Sequence, residues 1–70
     1  MAELPGAAVK RLVTKNAGDL RISGTALAAA VEAAEDYIGR LARAAGQAAQ
    51  DSKRKTIMDS DIEKARQTTA

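Results

Sequence analysis

The sequence predicts an all-α chain of three helices, short, long and short, that folds by pairing with a second copy of itself. Three observations predict it. Leu27, Val31, Ala34, Ile38, Leu41, Ala45 and Ala48 are spaced 4-3-4-3-4-3, a heptad seam sustained over three repeats. The only proline is Pro5, so no proline interrupts that seam. The 70 residues include 17 alanines, no Phe, no Trp and a single aromatic, Tyr37, so helix propensity is high while bulky apolar surface is scarce. A chain this short and this poor in large side chains gains burial by association, and a dimer is the minimum expectation. The length allows one domain, spanning residues 1–70.

The first helix opens at Pro5-Gly6, where proline suits the first turn because its missing N–H is not needed there. Val9, Leu12 and Val13 form one apolar stripe, with Lys10 and Arg11 off it. The pattern stops at Ala17-Gly18, and Asp19 to Ile22 is a short connector. Ser23 is an N-cap, and the long helix runs from about Ser23 to about Ser52, roughly 45 Å. Lys53 to Met58 is the second connector, and Ile22, Thr56 and Ile57 have strand preference. Asp59 is the expected cap of the third helix, with Ile62 and Ala65 as its core face, and the tail Gln67 to Ala70 is expected to fray. Tyr37 lies beside the seam and reads as core packing, since base stacking would need more than one aromatic.

Composition narrows function. There is no cysteine for a disulfide or thiolate metal site, and no histidine, the commonest general base and metal ligand. Glu32, Glu35 and Asp36 share the long helix, but without such partners they read as a solvated face. An enzyme, a metal site and a cofactor are therefore not expected, nor is a small-molecule substrate. The longest apolar run, Ala26 to Val31, is too short to span a membrane, so a cytoplasmic protein is expected. The formal net charge is only +2, but Lys10, Arg11 and Lys15 cluster early and Lys53, Arg54 and Lys55 are consecutive late, which suggests one basic face.

The residues that stand out also stand in a familiar order. Glu3-Leu4-Pro5, Val9-x-Arg11-Leu12, Ala17-Gly18, Arg21-Ile22-Ser23, Arg54-Lys55-Thr56-Ile57 and Asp61-Ile62 resemble the archaeal histones and their bacterial relatives over nearly the whole chain. The resemblance implies the histone fold, two chains interlocked in an antiparallel handshake homodimer, with each first connector beside the partner's second. Leu27, Val31, Ala34, Ile38 and Leu41 would then line the dimer core.

It also implies double-stranded DNA as partner and a nucleoid location. Arg21 matches an arginine that enters the minor groove, where negative potential favours a guanidinium. Arg11 and Lys55 match phosphate-meeting cations, and Thr56 a phosphate donor close to Arg21 of the partner subunit. Lys10 and Lys15 are adjacent candidates, as are the N–H groups near Gly6 and Ala7. Lys53 is extra charge where the family often has none, open to a phosphate role or to none. Arg54 and Asp61 match an ion pair within the chain that fixes the second connector.

The match departs where many relatives stack dimers. There Ala48, Asp51, Asp61 and Lys64 replace a histidine and leucines facing an aspartate, which argues against tight stacking. The leading expectation is sequence-tolerant DNA binding that bends or coats the duplex for chromosome compaction. The alternative is a dimerisation module whose main partner is another protein, which the alanine-rich seam fits equally well.

Overall fold

The computed structural model describes residues 3–69, and among these every regular element is helical. The order is α1 (Gly6–Asn16), α2 (Gly24–Asp51) and α3 (Asp59–Thr68). The chain divides into two compact units at Glu35 and Asp36, with the long helix contributing to both.

In the first unit, Pro5 is the residue before α1 rather than part of its first turn; its φ of −64° and ψ of 121° are extended. Val9 and Val13 are half-buried, as the stripe requires, but Leu12 at its outer edge is 58% exposed. Ser23 caps α2: its Oγ accepts the Ala26 N–H at 3.1 Å, satisfying one of the orphan donors of the first turn. Of the seam, Val31 is buried, while Leu27 and Ala34 are half-buried.

In the second unit the buried hydrophobic residues are Ala45, Ala49 and Ala65, all alanine. Leu41 is half-buried and Ile38 is 49% exposed. Two details correct the sequence reading. The residue that precedes α3 is Met58, not Asp59. Asp61, three residues on, accepts the Met58 N–H at 2.8 Å, the return half of a capping box. Asp59 instead begins the helix and accepts the Ser60 N–H at 3.0 Å. The tail is helical through Thr68, and Thr69 is buried and donates its hydroxyl to the Ala65 carbonyl; Ala70 lies outside the described residues.

Candidate nucleic-acid interface

The first connector begins with a sharp reversal. The Asp19 N–H reaches back to the Thr14 carbonyl at 2.7 Å, and the Ala17 N–H to Val13 at 2.9 Å. Closing the helix this way requires left-handed backbone, supplied by Gly18 at φ 74° and continued by Asp19 at φ 65°. Arg21 emerges exposed just beyond the reversal. Lys10 and Arg21 line one shallow open depression with Thr14, Asp19, Leu20 and Ile22. The Thr14 hydroxyl is directed at the carbonyls of Lys10 and Arg11, at 3.0 and 3.2 Å. Asp19 brings a negative charge to the same depression, against the two cations. Arg11 and Lys15 are exposed on α1 but do not line it.

The second connector is built on a clamp. Arg54 donates from Nη1 to Asp61 Oδ2 and from Nη2 to Asp61 Oδ1, both at 2.8 Å. The two parallel bonds are the fork-to-fork geometry that only arginine offers a carboxylate. Nη1 also donates to the Thr56 carbonyl at 3.1 Å, and the Met58 N–H completes the set on Asp61. One guanidinium and one buried carboxylate thus hold the turn from both ends. The guanidinium, then the Met58 N–H, lower the Asp61 pKa from an ordinary 3.8 to about 2; the carboxylate in turn raises that of Arg54.

With Arg54 committed inward, Lys53, Lys55 and Thr56 are left exposed on the connector. Lys55 lines an open depression with Arg54, Gly46, Ala49, Gln50 and Ile57. The structure therefore brings Lys10 to Arg21 in the first unit and Lys55 to Arg54 in the second. Among the described residues no hydrogen bond engages the Thr56 hydroxyl.

One carboxylate read as solvated has a job of its own. Glu35 is half-buried and accepts the Leu4 N–H at 2.9 Å together with the Glu3 N–H, tying the entry segment of α1 to the long helix. Those two donors, Glu3 first, hold its carboxyl below the usual range. The partners lie 32 and 31 residues away, so no local spacing announces them.

Among the described residues no cluster of His, Cys, Asp or Glu could hold a metal ion, and no helix is long and apolar enough to cross a membrane. The short, long, short helix order is that of the histone fold. A family model described as the core histone H2A/H2B/H3/H4 domain matches residues 6–68, almost the whole chain. It is a family of DNA-binding and DNA-packaging proteins that pair through this fold and are not enzymes as a kind. On helix order and on that match, the chain belongs to the core histone family.

Proposed function

We propose that two copies of this chain interlock as an antiparallel homodimer, and that the dimer binds double-stranded DNA with little regard to sequence, bending or coating it to compact the chromosome. The observation that carries the reading is the separation of roles in the second connector. Arg54 is spent on Asp61 and the Thr56 carbonyl, while the Lys55 side chain and the Thr56 hydroxyl beside it have no hydrogen-bond partner among the described residues. A clamp that rigid, under exposed cations, is how a protein positions charge for a phosphate backbone.

In this reading Arg21 enters the minor groove, Arg11 and Lys55 neutralise phosphates, and Thr56 donates to a phosphate near Arg21 of the partner subunit. Lys10 and Lys15 add phosphate contacts along α1. These contacts address backbone and groove shape, so sequence tolerance follows. Pairing has its own support. Leu12, Leu20, Ile38, Ile57 and Met58 are 46–67% exposed, while among the described residues the buried apolar ones are a valine and three alanines. Large apolar groups outside and small ones inside is the pattern of a surface awaiting its partner. Leu27, Val31, Ala34, Ile38 and Leu41 form the shared core. The protein would act on the chromosome, in the cytoplasm, without cofactor or small-molecule substrate.

The test combines gel shifts on unrelated duplexes with the mass of the free protein. The double variant Arg21→Ala, Lys55→Ala is expected to remain a dimer and lose DNA binding. The exposure of Leu20 at 67% and Met58 at 47% fits equally a second reading, a module whose main partner is another protein. Retention of full duplex binding by the double variant would decide against the connectors as the DNA-contacting surface.

A further inference from the structure

Lys53 has a backbone φ of 59°, in the left-handed region where a Cβ crowds the following carbonyl. The helix ending puts it there. The Lys53 N–H donates to Gln50 at 2.8 Å and the Arg54 N–H to Ala49 at 2.9 Å. These are the two bonds of a Schellman closure, and Lys53 occupies its turning position. Glycine fills that position without steric cost, and asparagine tolerates it. The end of α1 offers the comparison within the same chain. There the Asp19 N–H bonds Thr14 across the same span, and Gly18 takes the turn at φ 74°. At equivalent helix ends the chain uses glycine once and lysine once.

The fold returns little for the lysine: a cation at the C-terminal end of α2 favours the helix dipole, but by less than left-handed backbone costs a residue with a Cβ. Its side chain is exposed, and it belongs to neither of the two ion pairs among the described residues, Arg54–Asp61 and Arg66–Glu63. The clamp that shapes the connector is made without it. Strain that exceeds its structural return points to the side chain as the reason for the residue. What the side chain brings is charge. Arg54 is neutralised by Asp61, so the positive potential of this connector rests on Lys53 and Lys55.

We propose that Lys53 is a phosphate-contacting residue held in a conformation that costs the fold stability, so that the second connector trades stability for affinity. The inference rests on the DNA-binding reading above. It extends the contact surface back to the turn that closes α2 and assigns the left-handed conformation a purpose.

The experiment uses the full chain as wild type, Lys53→Gly, Lys53→Arg and Lys55→Ala. Each is melted, and its affinity for one duplex is measured over a range of salt. Lys53→Gly is expected to melt about 3–6 °C higher, the relief being present twice per dimer. It is also expected to bind more weakly, with a log affinity–log salt slope shallower by about 2, because each chain neutralises one phosphate fewer. Lys53→Arg should match wild type in both. If Lys53→Gly keeps the wild-type slope while Lys55→Ala flattens it, Lys53 does not meet phosphate and the inference fails while the DNA-binding reading stands. A Lys53→Gly chain that melts at or below wild type overturns the trade. A wild-type chain without salt-dependent duplex binding overturns the reading itself.

Discussion

Arg54 and Asp61, seven residues apart, meet through two parallel bonds of 2.8 Å, and the same carboxylate caps α3 through the Met58 N–H. Three constraints converge on one buried residue that is 4% exposed. Removing it strands a guanidinium and an N–H together. Asp61→Ala is therefore expected to lower the melting temperature clearly, whereas Glu63→Ala, which breaks the exposed pair with Arg66, should change stability by no more than about 0.5 kcal/mol. Thermal melts of the two variants side by side check this. Equal small effects would show that the clamp is dispensable.

Acid should act through the same group. Asp61 titrates at about 2 in the folded chain against an ordinary 3.8, so the unfolded chain takes up the proton first. Its contribution is complete above about pH 4 and is lost as pH falls through about 2. Glu35, also held low, adds to the loss on the same side. Stability measured by circular dichroism down this range should fall steeply for wild type and less for Asp61→Asn. Parallel curves would show that the carboxylate does not govern acid unfolding.

The alanines of the second unit set how closely its helices approach. Ala45 is fully buried and Ala49 and Ala65 are 3% and 2% exposed. Ala45→Leu adds volume where there is none to receive it and is expected to cost about 1–3 kcal/mol in denaturant unfolding. An unchanged midpoint would mean that this position opens onto free space.

Higher assembly should stop at the pair. Asp61 has both oxygens engaged inside its own chain, Asp51 accepts from Gln47 at 2.9 Å, and Ala48 is too small to anchor a neighbour. Sedimentation at low micromolar concentration should give twice 7.3 kDa. Tetramers without DNA would show that the ends of α2 and α3 stack after all.

Much of the fold was legible because it rests on local rules. The heptad seam, the serine before α2 and the glycine after α1 mark helices by period, cap and turn. The long helix, read as Ser23 to Ser52, is Gly24–Asp51. What escaped reading depends on competition or distance. Asp59 looks like the cap of α3, but the helix is preceded by Met58, whose N–H bonds the Asp61 carboxylate that Arg54 holds. Glu35 is tied to residues more than 30 positions away. Lys53 sits where glycine is the usual signal, so the left-handed turn has no marker in composition. The cations of the candidate site were legible as a set. The commitment of Arg54, and the pairing of Lys10 with Arg21 in one depression, needed coordinates.

The most direct test of the central claim is a salt titration of wild-type affinity on two unrelated duplexes of equal length. With about eight phosphates neutralised per dimer, log affinity should fall linearly with log salt at a slope near −7, and the two duplexes should coincide. A flat response, or a strong preference for one duplex, would contradict it.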